Sequence, residues 1–359
     1  MKPINVAISS LTHAHVRKYY TTLMENPKLN WVAVSCPDEA IANHFNSLGY
    51  GIPLYSTLEE MLERHPEIDA VVLASENSRH MEEVKTCCQY KKHILSMKIP
   101  TFDMDEYDQM IKLVDEAGVI CQVELELHYN PAVKRVMELV EEGVIGKIIS
   151  FNATNITLSP VWAFPWQGVP ELSYGSRVPL KPGDSRFRGG ALSDHPHIFD
   201  LVRWIAGSDY NYVFSDAGDN IRTDLIEEDL LYVTGEMENG MKFLLDPSWS
   251  RVEERIKIPA PGWEVFPKRM EVNFTIVGTD GVIQADAFGP NVYFCGGPNN
   301  RYTIQYTYFD EWVGMMDELH LCVTEGKKPK IDLRWHKKTV EAMLNCYESI
   351  ALGQPVFFK

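Results

Sequence analysis

His93-Ile94-Leu95-Ser96-Met97-Lys98 is a short apolar run that closes on a lysine. Similar runs recur at Asn5 to Ser9, Trp31 to Ser35, Ala70 to Ala74 and Val119 to Val123. Between them lie segments with helical spacing, including Glu59 to Arg64, Met81 to Cys88 and Met104 to Glu116, the last behind Asp103 as an N-cap. Short β-branched runs alternating with amphipathic helices predict a parallel sheet with crossover helices. The expected fold is therefore α/β, with a doubly wound nucleotide-binding domain over residues 1–123.

Beyond this the pattern changes. Residues 124–359 are expected to form an α+β domain. The helix Pro131 to Glu142 carries proline in its first turn and stops at Gly143. An alternating strand over Lys147 to Asn155 leads into an irregular stretch, residues 158–188, dense in Pro, Gly, Trp and Ser. Long irregular loops are usually functional or disordered, and Trp162, Phe164, Trp166 and Tyr174 favour a substrate-side loop. Antiparallel strands follow, with Asn239-Gly240 and Asp280-Gly281 as hairpin turns, and then helices at Asp310 to Glu325 and Arg334 to Leu352.

At 359 residues with 45% hydrophobic content, two packed domains are expected. A net charge of −16 argues against general attraction to nucleic acid or anionic lipid. No run of about 18 apolar residues suggests a membrane span, and the N-terminus lacks the apolar core of a secretory signal. The seven cysteines are scattered without a Cys-x-x-Cys pair, as expected of reduced thiols in the cytoplasm. The partner expected on these grounds is a small molecule.

Lys98, at the end of a buried strand, and the adjacent Asp194, His195, Pro196 and His197 at a helix start are a plausible proton-transfer set for oxidising an alcohol. Lys98 also reads as a solvated lysine past a strand, and Ser193 or Asp194 as a simple N-cap before Pro196. On one α-helix, Asp194 and His197 would share a face, roughly 60° apart. Glu124, Glu126 and His128 share one strand face at period two. They invite a metal reading, as do Asp194, His195 and His197, but neither group has a specific ligand spacing. Metal is not expected, and a polar contact from Glu124 and His128 to a ligand is the preferred use.

The order of Val71-Val72-Leu73-Ala74-Ser75-Glu76-Asn77-Ser78-Arg79-His80, His93 to Lys98, Tyr129-Asn130-Pro131 and Gly189-Gly190 through Asp200 resembles the Gfo/Idh/MocA oxidoreductases. Val277-Gly278-Thr279-Asp280-Gly281 and Gly353-Gln354-Pro355-Val356 extend the similarity nearly end to end. The resemblance implies an N-terminal Rossmann domain carrying a nicotinamide cofactor and a C-terminal domain with a large open mixed sheet. It also implies substrate bound between the domains and association into homo-oligomers through that sheet.

Residue by residue, Lys98 matches the lysine of the family's Glu-Lys-Pro motif, with Met97 and Ile99 replacing its neighbours. His197 and Asp200 match His-x-x-Asp, and Asp194 matches the preceding acid, one residue closer than usual. Lys98, Asp194 and His197 are the expected catalytic groups, with Asp200 holding the helix. Ser10, Thr12 and His15 stand where a dinucleotide loop has glycines; with His13 they would bond the phosphates, helped by the helix dipole. Cys36 replaces the ribose-binding acid and Asp38 follows it. No Arg or Lys there would meet a 2′-phosphate, so NAD is favoured over NADP. Ser75 and Asn77 would line the ribose side, and His80 would cap or support its helix. Lys98 and Glu124 complete the cofactor set, and His128, Trp162, Trp166, Asp194 and His197 the substrate set.

The expected function is an NAD-dependent oxidation of a sugar or glycoside hydroxyl to a ketone, most like the branch that oxidises C3 of glycosides, including C-glycosides. Two alternatives stand beside it. One is a glycosidase that uses NAD for transient oxidation and elimination. The other is a non-catalytic relative.

Overall fold

A computed structural model describes residues 2–13, 15–157, 165–250, 270–289, 291–296, 300–305 and 310–359. Ile4–Ser9 (β1), Leu29–Ser35 (β2), Leu54–Tyr55 (β3), Ala70–Leu73 (β4), His93–Ser96 (β5) and Cys121–Val123 (β6) form one sheet in the order β3-β2-β1-β4-β5-β6. All its pairings are parallel. Strands β4 and β6 are buried throughout, as expected when crossover helices cover both faces. The helices include Val16–Glu25 (α1), Glu39–Ser47 (α2), Leu58–Arg64 (α3), His80–Gln89 (α4) and Met104–Ala117 (α5). Asp103 caps α5 as expected, its carboxylate accepting from the backbone N–H of Asp105 and Glu106.

The second sheet has nine strands. In chain order they are Ile148–Thr157 (β7), Tyr210–Ala217 (β8), Leu231–Met237 (β9), Lys242–Asp246 (β10), Met270–Gly278 (β11), Gly281–Asp286 (β12), Asn291–Gly296 (β13), Asn300–Gln305 (β14) and Val356–Phe357 (β15). They are arranged β14-β13-β12-β11-β7-β10-β9-β8-β15. Only β10 with β7 pairs in parallel, and the other pairings are antiparallel. The two hairpins expected from Asn239-Gly240 and Asp280-Gly281 join β9 to β10 and β11 to β12. Gly240 takes φ +86°, a conformation that glycine adopts without a Cβ penalty.

Along β9, Leu231, Val233 and Met237 are buried while Tyr232 and Thr234 are exposed. Helices Pro131–Glu141 (α6) and Pro196–Ala206 (α9) pack against this sheet, and the short helices Pro170–Ser173 (α7) and Ala191–Asp194 (α8) lie between them in the chain. The opposite face presents Asn152, Thr154, Tyr232, Leu244, Asn273 and Tyr293 around a shallow depression.

The chain divides into two compact units, Met1–Glu126 with Asp310–Lys337, and Leu127–Phe309 with Lys338–Lys359. The first unit thus includes Glu311–Glu325 (α10), which a division at residue 123 leaves with the second. Among the described residues no helix is long and apolar enough to cross a membrane.

Two local expectations are corrected. Glu124, Glu126 and His128 do not share a strand face, because β6 ends at Val123 and Glu126–Tyr129 is a 3-10 turn. The chain must leave the sheet there so that Asn130 can cap α6, its side-chain oxygen accepting from Ala132 and Val133. Asp194 and His197 do not lie on one helix either. Ala191–Asp194 (α8) stops before α9, with His195 between them at φ −115°, ψ 55°. Pro196 drives the break, since it disfavours helical backbone in the residue before it.

Candidate active site

In the first unit the strand order reverses between β1 and β4, the crevice where doubly wound folds bind ligands. Ser10 follows β1 with φ +67°. A serine therefore makes the left-handed turn for which glycine is the usual residue. Its hydroxyl lies 3.2 Å from that of Thr12, and Thr12 in turn donates to the Glu76 carboxylate at 3.1 Å. The backbone N–H of His13 donates to Ala74 O, so the loop is braced across the crevice onto the end of β4. His15 N-caps α1.

The His15 ring turns toward Glu124, with Nδ1 2.5 Å from Oε1, and the Tyr19 hydroxyl donates to Oε2 at 3.2 Å. Glu124 is fully buried and its backbone N–H bonds Ser96 O at the end of β5. Its carboxylate thus orders His15. Burial and the nearby Glu124 carboxylate raise the Glu126 carboxyl to about 7.

Cys36 is buried, and burial raises its thiol pKa. Asp38 N-caps α2, its Oδ1 accepting from Ile41 N. Ser75 and Asn77 are buried just past β4. Lys98 is buried two residues beyond β5, before a cis bond to Ile99. His80 supports this segment: Nδ1 donates to the carbonyls of Ile99 and Pro100 at 3.1 and 3.2 Å. Burial lowers the His80 pKa, which keeps the ring neutral.

In the second unit the Gly189-Gly190 run leads into α8. The Glu228 carboxylate receives the N–H groups of Gly190 and Leu192 and the Tyr347 hydroxyl. It thereby ties down the turn that carries Asp194. Asp194 Oδ1 accepts from Gln167 Nε2 at 2.7 Å, and Oδ2 from Trp249 Nε1 at 3.1 Å. His195 bridges two groups, its Nδ1 2.6 Å from Pro247 O and its Nε2 3.4 Å from Asp194 Oδ2. His197 lies buried in the first turn of α9.

Neither Ser193 nor Asp194 caps α9, whose N-cap is His195. Asp200, expected to hold the helix, makes a close buried contact with His128 Nε2. The His128 ring stacks on Trp204 at 4.0 Å. One face and one edge of His128, expected in the substrate set, are thus engaged within the protein. Trp166 is buried beside Gln167, while Trp162 lies outside the described residues. No group of three or more His, Cys, Asp or Glu among the described residues is disposed to hold a metal ion.

Gln167, Trp249 and Glu228 support the candidate groups, yet only the length and composition of the loop near Gln167 hinted at one of them. Their partners come from distant parts of the chain.

The sequence model described as an oxidoreductase family with an NAD-binding Rossmann fold matches residues 9–125, and that of the GFO/IDH/MocA C-terminal domain matches residues 133–284. The chain belongs to the Gfo/Idh/MocA oxidoreductase family. Within it the chain is 26% identical over 247 residues to a myo-inositol 2-dehydrogenase of Thermotoga maritima, covering 67% of each protein. It is 24% identical to the NAD(+) scyllo-inositol 2-dehydrogenase of Bacillus subtilis, over 98% of this chain and 94% of that one. Among solved structures, the aldose-aldose oxidoreductase of Caulobacter crescentus superposes with a TM-score of 0.81 at 17% identity, covering 99% of this chain and 100% of that one. That likeness carries the fold. Gfo/Idh/MocA membership makes residues 9–125 the NAD-binding domain. The crevice fits the cofactor through its left-handed turn at Ser10 and the N-terminus of α1 above the sheet.

Proposed function

We propose that this protein oxidises a hydroxyl of a sugar or glycoside, at C3 in the most specific form of the reading, with NAD as hydride acceptor. The observation that carries it is Lys98, a buried lysine just past the carboxyl end of β5 in an NAD-binding domain. A lysine placed there can exchange a proton with an alcohol as its carbon loses hydride.

Ser10, Thr12, His13 and His15, with the α1 N-terminus, are the proposed pyrophosphate ligands; Cys36, Asp38, Ser75 and Asn77 would line the ribose side. With NAD bound, the domain supplies a hydride acceptor to an alcohol carbon. Lys98 takes the hydroxyl proton, and His197 acts as the second acid/base group. Asp194, held in one orientation by Gln167 and Trp249, accepts a hydrogen bond from a substrate hydroxyl. Trp166 and Trp162 would stack on the sugar or its aglycone.

A homo-oligomer formed through the open face of the second sheet belongs to the same reading. Tyr232 and Leu244 are 51% and 48% exposed there, large apolar groups that a second copy would cover. A cytoplasmic setting suits seven cysteines that are all free thiols.

The deciding experiment assays the purified protein for bound NAD(H), then incubates it with glycosides of varied linkage. NADH formation with a keto-sugar product is expected. Released aglycone without net NADH would replace the dehydrogenase by a glycosidase, and no cofactor binding at all would leave a non-catalytic relative.

A further inference from the structure

A buried carboxylate lies beneath the crevice where one would expect an apolar side chain. Glu83, on α4, is 4% exposed. Its Oε1 accepts from the Ser9 hydroxyl at 3.0 Å and its Oε2 from the Ser75 hydroxyl at 2.7 Å. Ser9 is the last residue of β1, and Ser75 lies two residues past β4. The Ser35 hydroxyl at the end of β2 continues the chain, 3.4 Å from that of Ser9. All three serines are buried.

We propose that Glu83 is the positioning residue of the dinucleotide site, clamping the two strand ends between which the cofactor crevice opens and so setting NAD affinity without touching NAD. The inference rests on the reading of this domain as NAD-binding.

Three observations support it. The clamp spans β1 and β4, the neighbours at which the strand order reverses, so it ties together the two loops that flank the ligand. The loop above it has serine rather than glycine in the left-handed turn after β1, and that strained backbone persists only if its surroundings hold it. Finally, burying a carboxylate is costly unless its hydrogen bonds are well made. A packing role alone would be met at lower cost by leucine.

Arg79, 3.6 Å from Oε1, and Glu76 are the charged groups around it. Burial raises the Glu83 carboxyl to about 7, so an amide of the same shape is a fair substitute near neutrality. Gln can accept from one serine and donate to the other.

The test is calorimetric titration of the full-length protein with NAD+ and NADH, alongside steady-state kinetics. Glu83→Leu is expected to weaken NAD binding roughly ten- to hundred-fold, the scale of two ordinary hydrogen bonds. The KM for NAD should rise in parallel while kcat at saturating NAD changes far less. Glu83→Gln should restore affinity to within about threefold of wild type. Ser9→Ala removes one arm of the clamp with a hydroxyl that is buried and spent on Glu83. It is expected to cost several-fold in affinity and serves if Glu83→Leu does not fold. Wild-type NAD affinity in Glu83→Leu or Ser9→Ala, or a Glu83→Gln variant as impaired as the leucine, would overturn the proposal. Failure of the wild type itself to bind NAD would instead overturn the NAD-binding reading, and Glu83's role with it.

Discussion

Gln167 donates from its amide nitrogen to Asp194 Oδ1 across 2.7 Å, although 27 residues separate them. With the Trp249 indole on the other oxygen, the carboxylate is held in one rotamer. A group so held can meet a substrate hydroxyl without first paying the entropy of ordering. The contact also joins the irregular loop to the turn that carries the candidate acid.

Gln167→Ala is therefore expected to lower kcat/KM for the sugar by roughly ten-fold or more, the scale of one hydrogen bond to a charged group. NAD affinity should stay unchanged, because Gln167 belongs to the second unit. Steady-state kinetics and a cofactor titration on the same preparation separate the two effects.

Lys98→Ala and His197→Ala are each expected to reduce turnover about 10²–10⁴-fold if these groups move the proton. Thermal melting shows whether each variant is folded. Near-wild-type rates in both folded variants would remove them from the mechanism.

Gly190→Ala tests the platform under Asp194. A Cβ at this position would stand 2.0 Å from Glu228 O and 2.9 Å from Glu227 Cβ, and the first of these is backbone that cannot swing aside. The variant is expected to lose about 1–3 kcal/mol of stability and most of its turnover, read by thermal melting and initial rates. A variant with full stability and activity would show that the α8 turn tolerates displacement.

Glu227 gives a pH signature. Burial raises its carboxyl to about 7, well above the ordinary value near 4.3. Between those values the folded protein keeps a proton that the unfolded chain has lost. Its contribution to stability is therefore complete below about pH 4.3 and is lost as pH rises through about 7. Glu227→Gln cannot ionise, so it should match wild type near pH 4 and exceed it by about 1–3 kcal/mol at pH 8. Melting curves across that range check the slope, and parallel curves would show that Glu227 is not the group responsible.

Much of the architecture was legible in the residues. The β-branched runs at Ala70 to Ala74 and His93 to Ser96 announce parallel strands because buried strands are apolar on both faces. Asn239-Gly240 and Asp280-Gly281 announce hairpins because local turn chemistry is enough to form them. The two-residue strands β3 and β15 were not legible, since two residues show no period. The position of Lys98 and the placing of Asp194 and His197 near a helix start could also be read locally. The break at His195 could have been, because Pro196 was visible and its effect on the preceding residue is general.

What local sequence determined was thus the kind and order of the elements, since propensity, period and turn chemistry act within a few residues. Tertiary structure alone decided which groups meet. Glu83 reaches Ser9 across 74 positions, His15 reaches Glu124 across 109, and Tyr347 reaches Glu228 across 119. These contacts follow from strand order and helix packing, which bring together side chains that no local pattern relates. Each also decides whether a buried carboxylate is tolerable, because only a partner supplied by the fold can offset the loss of water around it.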